Sequence, residues 1–131
     1  MIYISLPYSN ENKFIRKYRE EVARIYFSKL VKDGIVATSP ILTGCIAEHY
    51  IDFNEVPYSF WMELSEAYIA SCSELHVIML DGWESSTGVN WEIQRAKQMG
   101  IPIKYFDVMY NNDGTQRFVE LDLLEAIDGL L

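Results

Sequence analysis

In the segment "DGWESSTGVNWE", Ser86, Gly88 and Glu92 place a hydroxyl, a residue without a side chain and a carboxylate around one expected helix start. A serine hydroxyl and the free N–H groups of a helix's first turn bind anions. Gly88 lets the chain approach a ligand closely. A carboxylate facing a sugar can attack or stabilise an anomeric carbon as the bond to its leaving group breaks through an oxocarbenium-like state. The same residues also make a helix start with nothing bound, because Ser and Thr cap N-termini and an early Glu complements the helix dipole. Spacing alone favours that plainer account.

The elements around this loop decide where Glu92 points. The apolar run "LHVIML" before it reads as a buried strand. In the helix that follows, from Gly88 to Met99 and ended by Gly100, Val89, Ile93 and Ala96 share one face, which leaves Glu92 beside that face in the first turn. Three further strands are expected at "IYISL", "IVATSP" and "IPIKYF". A long amphipathic helix is expected from Glu11 to Lys32, with Phe14, Tyr18, Val22, Ile25 and Leu30 as its apolar positions and Asp33-Gly34 as its end. Another runs from about Tyr58 to Ser71, and a last one covers Arg117 to Ile127; residues 41 to 57 show no clean period and are expected to hold a loop with a helical turn or two.

Strands apolar on both faces, alternating with helices, imply a small doubly wound α/β fold. A flavodoxin-like parallel sheet of four to five strands would carry helices on both faces, in one domain over residues 1 to 131. Such sheets bind ligands at the carboxyl ends of their strands, near the point where strand order reverses. The loops Pro7 to Asn10 and Asp81 to Val89 should meet there. Tyr8 and Ser9 would lie at the site's rim, where a ring stacks on a base or covers the core. Asp81 would hydrogen-bond a ligand hydroxyl or cap the turn with Gly82. Trp83 and Trp91 would form a pocket wall, pack inside or meet another subunit, and His76, within an apolar strand, reads as a hydrogen-bonded structural residue.

Composition narrows the partners. With 19 acidic residues against 11 basic and a net charge of -8, no broad basic face exists to neutralise long DNA or RNA, although a single phosphate on backbone N–H groups stays open. The two cysteines, Cys45 and Cys72, stand in no CxxC or Cys/His cluster, so they read as reduced buried thiols of a cytoplasmic protein, with no metal and no cofactor expected. The N-terminus "MIYISLPYS" lacks a basic region and a long apolar core, which argues against a signal peptide or membrane span.

Three stretches, "IYISLPYS", "ELHVIML" and "GWESSTGVNWEIQRAKQMGIPI", are together similar to the nucleoside 2-deoxyribosyltransferase-like superfamily, which includes the 2'-deoxynucleoside 5'-phosphate N-hydrolases and small phage and bacterial relatives. The resemblance spans roughly residues 1 to 106. Its most specific element is the S-x-G-x-x-x-E spacing followed by Ala96, Gly100 and Pro102. By this resemblance Glu92 matches the catalytic glutamate that attacks C1' of the deoxyribose. Tyr3 matches the strand-one tyrosine whose hydroxyl supports that carboxylate. Ser86 stands where the phosphate hydrolases carry a serine that contacts the 5'-phosphate, and the family's further acidic residue falls near Ser65 or Glu66.

The resemblance therefore implies an N-glycosidase acting on a (2'-deoxy)nucleoside 5'-monophosphate, with a nucleoside or nucleotide as its small-molecule partner and a homodimer or larger assembly. A deoxyribosyltransferase that passes the sugar to another base is the close alternative. A nucleotide-binding or sensing module that lost turnover is the alternative from another class, since fold alone does not decide function. A receiver-like signalling domain would want an acidic pair after the first strand, where this chain has "SLPYS".

Overall fold

The computed structural model describes residues 1 to 122. Among the described residues five strands form one sheet in the order β2-β1-β3-β4-β5: β1 (Ile2–Ser5), β2 (Ala37–Thr38), β3 (Glu74–Ile78), β4 (Ile103–Tyr110) and β5 (Gln116–Leu121). The first four run parallel, with Tyr3 opposite Thr38 on one side and Leu75 on the other. The helices α1 (Lys13–Lys32), α2 (Pro40–Ala47), α3 (Tyr58–Ala70) and α4 (Thr87–Gln98) connect the parallel strands. This is the doubly wound, flavodoxin-like α/β architecture expected from the pattern, with the strand order reversing between β1 and β3.

The period of two along β1 divides the core. Ile2, Ile4 and Leu6 turn to one face, where they pack with Val22, Ala23, Tyr26 and Leu30 of α1. Tyr3 turns to the opposite face, with Ile69 from α3 and Val89, Ile93 and Ala96 from α4. Helices thus cover both faces, and each fully buried apolar side chain contributes roughly 1.5–3 kcal/mol. The face of α1 that is buried differs from the expected one. Its buried residues are Arg19, Val22, Ala23, Tyr26 and Leu30, while Phe14 and Tyr18 are exposed.

One segment sharpens the sequence reading and another departs from it. The region from 41 to 57 holds a true helix, α2, started by Pro40 at its first position, where a missing N–H costs nothing, and then a single 3-10 turn at Phe53–Glu55. The helix expected from Arg117 to Ile127 is contradicted over its first part: Gln116–Leu121 is β5, antiparallel to β4, and residues 123 to 127 lie outside the described residues. The cause is the turn "NNDGT". Asn111 N–H donates to the Thr115 carbonyl at 2.8 Å, and Gly114 adopts φ 85°, which closes a hairpin that pairs Tyr110 with Gln116. Among the described residues no helix is long and apolar enough to cross a membrane.

Candidate active site

The carboxyl ends of β1 and β3 meet the start of α4 at the switch point. The chain leaves β3 through Leu80 and Asp81, turns at Gly82 in the left-handed region (φ 87°), makes a 3-10 turn at Trp83–Ser85 and enters α4 with Ser86 as its N-cap. Ser86 Oγ accepts from Val89 N–H at 3.3 Å, while the N–H groups of Thr87 and Gly88 have no partner among the described residues. Two orphan donors are therefore presented at a helix N-terminus. A Cβ at Gly88 would meet only Ser86 Oγ, at 4.0 Å, so the protein's own packing does not demand this glycine and the space beside it is open.

Glu92 stands one turn into α4 and reaches back to β1. Because β1 alternates, Tyr3 and Ser5 share the face toward α4, and Ser5 Oγ donates to Glu92 Oε1 at 3.0 Å. The Tyr3 hydroxyl is buried close to Glu92 and Ser65, near enough to interact electrostatically but too loosely for a hydrogen bond, and it has no partner of standard geometry. Burial, followed by the neighbouring Glu92, pushes the Tyr3 phenol well above its ordinary range. Burial likewise pushes the Glu92 carboxyl up to about 7, against the smaller opposing pull of Tyr3 and Ser5. The residue keeps a partly exposed surface toward a cavity while its carboxyl group is enclosed by protein.

That cavity measures about 260 Å³ and brings together Tyr8, Ser9, Ser86, Gly88 and Glu92, all of which the sequence singles out. Trp91 joins its wall, whereas Trp83 packs its ring on Tyr105, with centroids 5.7 Å apart. Tyr3 lies beneath Glu92 without lining the space. Two expected site residues lie elsewhere. Glu66 forms an ion pair with Arg95 across α3 and α4, because the helical turn that aims Ser65 into the cavity aims its neighbour outward. Asp81 borders a different cleft on the α1 side of the sheet, with Arg19 and Asp107.

Residues that sequence reasoning missed complete the site. Ile41, Tyr58, Trp61 and Met62 line the cavity from α2 and α3, parts of the chain whose approach to Glu92 no local pattern encodes. Arg19 is buried at 9% exposure on α1, and it donates to the carbonyls of Tyr8 (3.4 Å), Ser9 (3.0 Å) and Asp81 (2.9 Å). It ties the loops after β1 and β3 together, a role for the five-donor guanidinium fork. An arginine on the otherwise apolar face of α1 was its only signal.

A family model described as "Domain of unknown function (DUF1937)" matches residues 1–108. No curated protein matches the sequence. A 2-deoxyribosyltransferase from the psychrotolerant bacterium Bacillus psychrosaccharolyticus, described as a biocatalyst for the synthesis of nucleosides, shares the fold with a TM-score of 0.57. The two are 19% identical over 81% of this chain and 71% of that one.

Proposed function

This chain belongs to the DUF1937 family, and from that premise and the geometry at its switch point we propose that it is an N-glycosidase of (2'-deoxy)nucleoside 5'-monophosphates. The observation that carries the reading is Glu92: a carboxyl group enclosed at the floor of a cavity, pushed up to about 7 and oriented by Ser5. Perturbed carboxyl groups in clefts mark acid–base and nucleophilic sites. The likeness of fold to a 2-deoxyribosyltransferase supports nucleoside chemistry in particular.

In the reaction we propose, ionised Glu92 attacks C1' as the C1'–N bond breaks. The bond's electron pair leaves on the base, which takes a proton from solvent, and a glycosyl ester of Glu92 remains. Water then attacks C1', the ester oxygen leaves as the carboxylate, and the water's proton is released through it, for which a pKa near neutrality is suited. Ser5 holds the attacking oxygen's carboxyl group in place. The free N–H groups of Thr87 and Gly88, with the Ser86 hydroxyl at the same turn, are the group that would hold a 5'-phosphate. No Lys or Arg lines this cavity among the described residues, so the phosphate would be held by dipoles alone and should improve kcat/KM over the free nucleoside by roughly tenfold rather than more.

The test is incubation with deoxynucleoside and ribonucleoside 5'-monophosphates and free nucleosides, reading base release by chromatography, with Glu92→Gln in parallel. Release abolished in the variant is expected. Transfer of the sugar to an added second base would instead make the protein a deoxyribosyltransferase. Absence of release, with ligand-induced thermal stabilisation that survives Glu92→Gln, would make it a nucleotide-sensing module.

A further inference from the structure

Beside the cavity above Glu92 lies a second lobe of about 310 Å³, and Tyr8, Ser9, Pro40, Ile41 and Trp61 line both. The walls of this second lobe are aromatic. Phe53 and Trp61 stand with ring centroids 5.0 Å apart and tilted by 50°. Gly44 of α2 faces them, and a Cβ there would touch Phe53 at 3.6 Å and Trp61 at 3.8 Å, so the glycine deepens the lobe beside both rings. Planar heteroaromatic groups pack well against such walls.

At the far end stand hydrogen-bond acceptors. The carboxylate oxygens of Glu20 and Glu48 and the sulfur of Cys45 come within 4.8 Å of one another beside the Tyr8 hydroxyl, which receives the Cys45 thiol at 3.8 Å. Burial and Glu20 push the Cys45 thiol up to about 12, so it stays protonated. Glu20 is already paired with Arg24 at 2.8 Å. The Glu48 carboxylate has no hydrogen bond or ion pair among the described residues; it also lines a neighbouring groove with Tyr8, Glu20, Lys13, Arg16 and Lys17, and none of these cations bonds to it.

We propose that this second lobe is the base subsite and that Glu48 is its specificity-determining residue, selecting a heteroaromatic base with an exocyclic amine. The inference rests on the glycosidase reading, in which Glu92 and the start of α4 hold the sugar and phosphate; the base then extends over Trp61 toward Glu48. An ionised carboxylate accepts hydrogen bonds and cannot donate. An amine presented to it gains a charge-assisted bond, and a carbonyl oxygen in the same place is repelled. Glu48 is exposed, so the discrimination is modest compared with that of a fully buried polar site.

The experiment compares pairs that exchange an exocyclic amine for a carbonyl and place a proton on the adjacent ring nitrogen: deoxyadenosine against deoxyinosine and deoxycytidine against deoxyuridine, each as the 5'-monophosphate, by kcat/KM for base release. Calorimetric binding of free adenine against hypoxanthine provides a readout independent of turnover. The amine member is expected to be favoured at least tenfold in both, and Glu48→Ala is expected to reduce the ratio below threefold. An equal preference in the wild type, a ratio that survives Glu48→Ala, or no binding of either base at millimolar concentration overturns the assignment. If no substrate releases a base, yet adenine is preferred and the preference is lost in Glu48→Ala, the subsite stands and hydrolysis falls.

Discussion

Replacing Glu92 by glutamine should stabilise this protein at alkaline pH, a result opposite to that of most substitutions at a hydrogen-bonded residue. Glutamine keeps the shape and can still accept from Ser5 Oγ, but it removes a charge that burial disfavours. The sign follows from linkage. The fold raises the carboxyl from 4.5 to about 7, so between these values the folded state binds the proton and the unfolded state does not. The benefit of the protonated form is full below the unfolded pKa and is lost as pH rises through about 7. A rise of that size corresponds to about 3 kcal/mol, which water reaching the residue through the cavity reduces to roughly 2–3 kcal/mol. For a domain of this length that is roughly 6–12 °C in Tm at pH 8. Thermal unfolding of wild type and Glu92→Gln from pH 4 to pH 8.5 should show curves that coincide near pH 4 and separate progressively above pH 5. A constant difference across that range, or a wild type more stable than the variant at pH 8, would show that Glu92 is not destabilised by its site and would remove the main support for a catalytic carboxylate.

Further outcomes follow from the same geometry. Tyr3→Phe removes a buried hydroxyl that has no hydrogen-bond partner, so it should change stability by less than about 1 kcal/mol in urea denaturation; it should also raise the Glu92 pKa, moving the acidic limb of any pH–rate profile to higher pH. Arg19→Met leaves three loop carbonyls without their donor and should cost about 3 kcal/mol, with limited proteolysis opening the chain near residues 8–10 and 81–85; Arg19→Lys should rescue little, because one ammonium cannot span both loops. Ser86→Ala should cost about 1 kcal/mol as a lost N-cap. If Ser86 also holds phosphate, the same variant should weaken binding of a nucleoside monophosphate several-fold more than that of the free nucleoside, measured by calorimetry.

The α/β architecture was legible in the order of residues alone, because strand and helix periods are local and this chain states them plainly in "LHVIML" and in the Val89, Ile93 and Ala96 stripe. It also placed Ser86, Gly88, Tyr8, Ser9 and Glu92 near one point, since a doubly wound sheet brings the strand-end loops together by topology alone. Its failures were those of range. The strand at Gln116–Leu121 is imposed by pairing with β4 through the "NNDGT" turn, against the helical composition that follows it. Glu66 and Ser65 are adjacent in the chain, and only the rotation of α3 in its packing against α4 decided that the serine enters the cavity while the glutamate pairs with Arg95. The cavity's second lobe and its unpaired Glu48 depend on where α2 settles between α1 and α3, in a stretch with no readable period. The raised pKa of Glu92 is likewise a tertiary property, because it arises from enclosure of the carboxyl group by residues distant in the chain, and no residue type or spacing carries that information.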